Sequence, residues 1–282
     1  MDFDVAVVGA SSSGLYAAEL LAQAGQRVAV FERERALVPA RRTLIVTPRL
    51  SHALHRIPEA AVLHRIHVMA VATPGAAVSI TLQEPDLVIE RGRLARALAD
   101  RARDAGVELR YGYDFLGFIP CSGGVTLRLR ADDGREARVS ARAVIGADGA
   151  FSHVAAMAGI RRPSVVPILQ AEVRLPSDWD PAVTQVWFDA RDTRFFYWLI
   201  PESSERAVVG LVGDPGVDMR ALLRRFLRRH GLEPLGYQGA LVAMHHPRLR
   251  PWARVGDAPV LLVGDAAGQV KVTTVGGTVT GF

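Results

Sequence analysis

The sequence predicts an α/β protein: an open, mostly parallel sheet interrupted by an antiparallel meander, joined to a smaller antiparallel β domain. Three observations predict it. An apolar run turns through glycines into an amphipathic helix within the first 32 residues. Alternating strands with Gly-Gly and Asp-Gly turns follow between Phe115 and Ser140. From about Val165 to Arg250, strand-like runs are separated by Pro, Asp and Gly turns. The 282 residues are 49% hydrophobic and 22% charged, enough for one or two domains with a core.

Composition narrows the function classes. The single cysteine, Cys121, excludes an intramolecular disulfide and fits a reducing cytoplasm. No window approaches the roughly 20 unbroken apolar residues of a membrane span, and the acidic start Met1-Asp-Phe-Asp4 reads as no signal peptide. A net charge of +5 is modest and permits an anionic ligand or peripheral contact with a membrane without demanding either; no nucleic-acid partner is expected. Nothing in the sequence fixes the oligomeric state.

The first strand, Asp4–Val8, is continuously apolar, as a parallel strand buried on both faces should be. It turns at Gly9-Ala-Ser-Ser-Ser-Gly14 into the helix Leu15–Ala24, which Gly25 ends, and Arg27–Glu32 is the second strand. This is the Rossmann-type dinucleotide fingerprint. Gly9 permits the tight turn, Gly14 lets helix pack on strand, and the helix N-terminus faces a pyrophosphate. Glu32 is placed to accept from a ribose hydroxyl, and an acid there favours an unphosphorylated ribose, hence FAD or NAD. Ser11 replaces the second glycine. It must tolerate the close approach of a phosphate or lend its hydroxyl to it.

The stretch Glu90–Ala105 has Leu94, Leu98 and Ala102 on one helical face, and Val107–Tyr111 is a strand. The meander Phe115–Pro120, Val125–Ala131 and Glu136–Ser140 comes next, then the apolar run Ala143–Ala147, which ends in Asp148-Gly149-Ala-Phe-Ser152. Near the C-terminus another apolar strand runs into Gly264-Asp265-Ala-Ala-Gly268-Gln-Val-Lys-Val-Thr-Thr-Val-Gly-Gly277. A nicotinamide domain has no reason to insert a meander, and no second GxGxxG appears.

GADGAFS and VGDAAG resemble the Asp-Gly and Gly-Asp motifs of the flavoprotein class that includes aromatic hydroxylases, flavin halogenases and geranylgeranyl reductases. With the N-terminal fingerprint they cover essentially the whole chain. The resemblance implies a glutathione-reductase-type FAD domain over 1–76, 90–164 and 253–282, and a substrate domain over 77–89 and 165–252. The hairpin Val78–Ile89, turning at Glu84-Pro85-Asp86, is expected in the substrate domain, whose sheet is expected over the flavin's face. The implied cofactor-binding residues are Gly9, Ser11, Ser12, Ser13, Gly14, Glu32, Arg33, Arg42, Arg91, Asp148, Gly149, Gly264, Asp265, Gly268, Gly276 and Gly277. Asp265 is expected to hydrogen-bond the ribityl chain, and Gly276 and Gly277 to begin a helix aimed at the flavin's pyrimidine edge. One carboxylate suffices there because flavin carries the redox chemistry, so no catalytic side chain is assigned.

Within the class, GDAAGQVKVTTVGG resembles the geranylgeranyl reductase signature GDAAGQxKPTTGGG, with Val272 in place of the proline and Val275 in place of a glycine. Phe196, Trp198 and Pro201 match those reductases' aromatic-x-Trp-x-x-Pro segment and are the expected substrate contacts. A halogenase would need an early catalytic lysine, whereas Lys271, the only lysine, lies in the flavin loop. The resemblance implies FAD-dependent reduction of C=C bonds in an isoprenoid or other apolar substrate, with NAD(P)H as electron donor. The alternatives are hydroxylation through a flavin hydroperoxide, as in aromatic and polyketide monooxygenases, and flavin binding without turnover. The chain ends at Phe282, where the resembled family continues through further helices. Asp218–His230 reads as an amphipathic helix with an arginine face. His52, His55, His64 and His67 have helical spacing but lack accompanying ligands, so no metal site is predicted.

Overall fold

The computed structural model describes residues 1–37, 43–271 and 276–282. In chain order these form β1 (Phe3–Val8), α1 (Ser12–Gln23), β2 (Val28–Glu32), β3 (Thr43–Val46), α2 (Pro48–Ala53), β4 (Val62–Thr73) and β5 (Ala76–Glu90). There follow α3 (Arg91–Asp104), β6 (Glu108–Tyr111), β7 (Tyr113–Cys121), β8 (Gly124–Ala131), β9 (Glu136–Gly146) and α4 (His153–Met157). The rest is β10 (Val165–Arg174), β11 (Val183–Trp187), β12 (Tyr197–Pro201), β13 (Arg206–Val212), α5 (Met219–Arg229), β14 (Pro234–Ala243), β15 (Trp252–Val255) and β16 (Ala258–Leu262). The chain divides into two compact units, one of Met1–Ala40, Gly92–Ser164 and Ala243–Phe282, the other of Arg41–Arg91 and Val165–Val242.

The first unit is built on a sheet of order β15-β16-β9-β1-β2-β6, to which β8 and β7 add through β9. Strands β9, β1, β2 and β6 run parallel. The expected meander strand Glu136–Ser140 and the apolar run Ala143–Ala147 prove to be one strand, β9. Its first half pairs antiparallel with β8 and its second half parallel with β1, from Phe3↔Ala141 to Val8↔Gly146. One strand thus serves two sheets' worth of partners, and its centre is buried on both faces. Helices α1 and α3 are tied by Glu19, whose Oε1 accepts from Arg101 at 2.8 Å while the side chain is nearly fully buried.

The second unit carries a sheet of order β14-β10-β13-β12-β11-β4-β5-β3. It is mixed, because β11 runs parallel to β4 (Val183↔Val68). Residues 41–76, read from sequence with the first domain, cluster in this unit, because β4 is paired between β5 and β11. The expected turn at Glu84-Pro85-Asp86 is also corrected. β5 runs straight through it, and the β4–β5 hairpin turns instead at Pro74-Gly75. Between the pairs Ile66↔Asp86 and Val68↔Thr81 the register shifts, leaving residues 82–85 without ladder partners. Pro85, which has no N–H to give, sits in that bulge at no cost to the ladder.

Helix α5 forms because Met219, Leu223, Phe226 and Leu227 fall on one face, with the Asp218 carboxylate capping the Ala221 N–H at 3.0 Å. That face covers Tyr197, Leu199, Val209 and Leu211. The Tyr197 ring stacks on Phe226 with centroids 4.2 Å apart, and its hydroxyl donates to Asp192 at 3.0 Å. Burial, then the Asp192 carboxylate, push the phenol well above its usual range, so it stays a donor. The Asp192 and Asp189 carboxylates also face Arg225 and Arg229 of the helix. Phe226→Ala removes a stacked, 97%-buried ring and is expected to destabilise by about 3–5 kcal/mol. Arg224→Ala, on the exposed face, is expected to change stability by less than about 0.5 kcal/mol; urea unfolding of the two variants measures the contrast.

Candidate functional site

The turn after β1 is shaped by what it presses against. Gly9 has φ +100°, and a Cβ there would lie 2.5 Å from the Ala147 carbonyl oxygen. A Cβ on Gly14 would lie 2.5 Å from the Gly9 oxygen and 2.7 Å from the Ala147 Cβ. Both glycines are therefore required by the close approach of turn, helix and the end of β9. Ser11 does something the sequence left open: its Oγ accepts the Gly14 N–H at 3.2 Å, capping α1. Its hydroxyl proton remains to donate. The N–H groups of Ser12 and Ser13 lie in the first helical turn, where no intrahelical acceptor exists and the helix dipole is positive.

Glu32 is fixed beside this turn. One carboxylate oxygen accepts the Ala10 N–H at 2.8 Å and the other the Glu34 N–H at 3.0 Å. Each keeps a lone pair for a ribose diol. Arg33 projects outward with its side chain 75% exposed, 3.5 Å from Glu34. Arg91 is the first residue of α3 and half-buried. Arg42 lies outside the described residues.

Directly after Ala147, the Asp148 Oδ2 accepts from the His153 and Val154 N–H groups at 2.7 and 3.0 Å, fixing the start of α4. Among the described residues its buried Oδ1 has no hydrogen-bond partner. A buried, unfilled acceptor costs on the order of 1–3 kcal/mol, and a ligand's donor would satisfy it. Gly149 has φ +82° with open space where a Cβ would stand.

The C-terminal motif meets the same region. After β16, residues Gly264–Ala267 make one 3-10 turn, closed by the Gly268 N–H donating to the Asp265 carbonyl at 3.1 Å. The Gly264 N–H donates to the Gln269 side chain at 2.7 Å, and His245 Nδ1 lies 3.1 Å from the Gly268 carbonyl. A Cβ on Gly264 or Gly281 would fall 2.8 or 2.6 Å from Ser13 Oγ, and one on Gly277 would fall 2.8 Å from Asp265 Oδ1. So α1, the Gly-Asp turn and Gly276–Gly281 are packed at the limit of contact. The expected helix after Gly277 is a single turn, with the Gly281 N–H on the Gly277 carbonyl at 2.9 Å. Val272, Thr273, Thr274 and Val275 lie outside the described residues.

These features suit a dinucleotide with a pyrophosphate and polyol. They offer first-turn donors for phosphate, a fixed carboxylate for ribose, an unfilled buried carboxylate oxygen, and glycines that admit close approach. Gln269, His245 and the Ser13 side chain were not singled out by sequence as supports of the turn. Only Gln269 had a signal, its place in the quoted motif.

Of the expected substrate contacts, Phe196 and Trp198 have ring centroids 6.0 Å apart, and Phe188 stands 5.9 Å from Phe196. Trp198 packs on Ile66, Val88, Ile200 and Val208, on the opposite face of β12 from Tyr197. Pro201 does not join them. It is buried and pairs with Ala207, part of the α5-facing core. Among the described residues no three His, Cys, Asp or Glu side chains gather to hold a metal, and no helix is long and apolar enough to cross a membrane.

The glycine geometry makes a stability prediction. Gly9→Ala forces a collision with backbone and should cost more than about 2 kcal/mol. Gly25→Ala, at φ +82° in open space, should cost only about 1 kcal/mol. Denaturation midpoints of the two variants test the difference.

A family model described as FAD binding domain matches residues 2–281. Digeranylgeranylglycerophospholipid reductase 2 of Methanothermobacter thermautotrophicus is 31% identical over 293 residues, covering 98% of this chain and 74% of that protein. Rifampicin monooxygenase of Streptomyces venezuelae is 30% identical over 301 residues, covering 94% of this chain and 58% of that protein. The crystal structure of a geranylgeranyl bacteriochlorophyll reductase-like protein from Thermoplasma acidophilum shares the fold, with TM-score 0.86 at 22% identity over 99% of this chain and 74% of that one. The chain belongs to the FAD binding domain family and, within it, to the geranylgeranyl reductase-like flavoproteins.

Proposed function

We propose that the protein is an FAD-dependent reductase of C=C bonds in an isoprenoid or similar apolar chain, with a nicotinamide coenzyme as electron source. When bound, FAD supplies the redox chemistry. The chain's own residues bind and orient. The Ser12 and Ser13 N–H groups and the Ser11 hydroxyl take the pyrophosphate, Glu32 the adenosine ribose and Asp265 the ribityl chain, while the unfilled Asp148 oxygen accepts a cofactor donor. Gly9, Gly14, Gly149, Gly264, Gly268, Gly276 and Gly277 keep the backbone close. The second unit supplies the apolar substrate surface.

The observation that carries the substrate class is the aromatic row of Phe188, Phe196 and Trp198, set on the sheet face away from α5. It suits a long hydrocarbon and offers no charged group of its own. The monooxygenase reading has support in the similarity to rifampicin monooxygenase. Peripheral attachment to a lipid surface through the arginine face of α5 would bring such substrates within reach.

Protein purified or titrated with FAD is expected to give a perturbed flavin spectrum. Asp265→Ala should weaken FAD about 10- to 100-fold, as loss of a charged hydrogen bond does; unchanged affinity would remove Asp265 from the ribityl site. Dithionite-reduced holoprotein should reduce a polyprenyl substrate without oxygen. Turnover strictly dependent on oxygen would instead establish hydroxylation. Trp198→Ala should lower substrate affinity while FAD occupancy and melting temperature stay close to the parent. A variant that melts early and sheds its flavin would assign Trp198 a structural role.

A further inference from the structure

The arginines of α5 fall into two groups, and only one is matched by acids. Arg225 and Arg229 face the Asp192 and Asp189 carboxylates. Arg220, Arg224 and Arg228 recur every four residues and are exposed. Among the described residues none of these three makes an ion pair. Their row lies toward β14, because the Arg220 guanidinium stands 4.9 Å over the Tyr237 ring. Like charges four residues apart destabilise a helix, and Arg220, in the first turn, also opposes the helix dipole. Of the acids nearest in sequence, Asp218 is engaged in capping the Ala221 N–H, and Glu233 lies beyond the helix end. The row stays positive.

The strand beside this row carries a second unmatched feature. β14 is the edge of its sheet. Tyr237 packs with the core under α5, while Gln238 bonds to Gln170 and Glu172 on the opposite face. By alternation Leu235 and Leu241 share the Tyr237 side, and they are 52% and 47% exposed. Exposed apolar side chains on an edge strand invite a partner. The two leucines stand six residues apart, about 20 Å along the strand. That is too far for one apolar anchor in a protein interface, but a fluid surface takes up each separately. Guanidinium groups bind phosphate oxygens through paired hydrogen bonds. Unpaired arginines beside isolated leucines therefore have the composition of a surface that rests on anionic lipid headgroups.

Resting on the reading above, in which the apolar substrate comes from a lipid phase, we propose that Arg220, Arg224 and Arg228 of α5, with Leu235 and Leu241 of β14, dock the protein on an anionic bilayer. The arginines engage lipid phosphates, and the leucines enter the headgroup layer beside them. Arg225 and Arg229 take no part, because their charges are spent on Asp192 and Asp189.

The test uses FAD-loaded protein sedimented with vesicles, either of phosphatidylcholine alone or of phosphatidylcholine and phosphatidylglycerol in equal parts. The parent should partition at least about 10-fold better onto the anionic vesicles. It should be released near 1 M salt, where the screening length falls to about 3 Å. An arginine at an anionic surface is worth about a factor of five, so Arg224→Gln should lose about 5-fold and the triple variant Arg220→Gln, Arg224→Gln, Arg228→Gln about 100-fold. Leu235→Ser with Leu241→Ser should lose about 10-fold. Arg229→Gln, on the same helix but paired, should lose less than about 2-fold. Equal FAD occupancy and melting temperature certify the fold of each variant. Equal losses from Arg224→Gln and Arg229→Gln would make net charge alone the cause and overturn the assigned surface. Self-association that the leucine variants abolish, without vesicle binding, would make the edge strand a protein interface instead. No vesicle binding, with anaerobic reduction of detergent-dispersed geranylgeranyl diphosphate intact, overturns the docking surface and leaves the reductase reading standing. Docking with the expected losses but no turnover keeps the surface and sinks the reductase reading. Neither binding nor turnover overturns both.

Discussion

The first unit depends on one steric constraint, the approach of the Gly9–Gly14 turn to the end of β9. With hydrogen in place of a Cβ at both glycines, the backbone of Ala147 can sit where a side chain would otherwise stand. Much of the candidate site follows from that contact. It sets the first turn of α1, whose donors have no helical partners. It places Asp148, the residue after Ala147, beside them. It leaves Ser13 facing the glycines of the C-terminal turn, where Gly264 and Gly281 are again at the limit of contact. Three sequence segments more than a hundred residues apart are brought together by backbones that lack side chains.

That is also why the segments that meet at the candidate site are legible in the sequence. Glycines and acids at the ends of apolar strands leave a linear trace, and Gly9, Gly14, Glu32, Asp148 and Asp265 were all placed by it. What did not show was the hydrogen bonding between these segments. Glu32 accepts from Ala10 and Glu34, and Asp148 spends one oxygen on the start of α4. Ser11 has two possible fates in the sequence, phosphate donor or tolerated obstacle, and the structure adds a helix cap made by its oxygen, with the hydroxyl proton left to donate. A hydroxyl's partner is settled by geometry within 3 Å, which spacing along a chain does not encode.

The fold shows the same division. Local patterns gave β1, α1, β2, α3 and α5 to within a few residues. The differences fall on strands whose pairing changes partway along their length. β9 was divided in two because its polarity changes where its neighbour changes from β8 to β1. Residues 84–86 read as a turn because Pro and Asp usually make one. A register shift opposite Ile66 and Val68 gives Pro85 a place inside a strand. β4 went unread and its residues were credited to the wrong unit, since their half-exposed side chains carry no clean alternation.

The two faces of β12 show how one sequence word can carry two meanings. Read as Phe-Phe-Tyr-Trp-Leu-Ile-Pro, the segment looks like a single aromatic patch. Pleating separates it. Tyr197 and Leu199 go under α5, where Phe226 stacks on the ring and Asp192 accepts the phenol's hydrogen bond, and Pro201 joins them opposite Ala207. Trp198 goes the other way, over Gly210, with Phe196 beside it. The α5 face is closed by packing and by arginine–aspartate pairs, so it holds the strand rigid. A surface meant to accept a flexible hydrocarbon needs such a support, because a side chain fixed from behind loses little freedom when a ligand arrives. The structural reading of the segment thus holds for Tyr197, Leu199 and Pro201, and the proposed substrate role falls to the alternate residues Phe196 and Trp198.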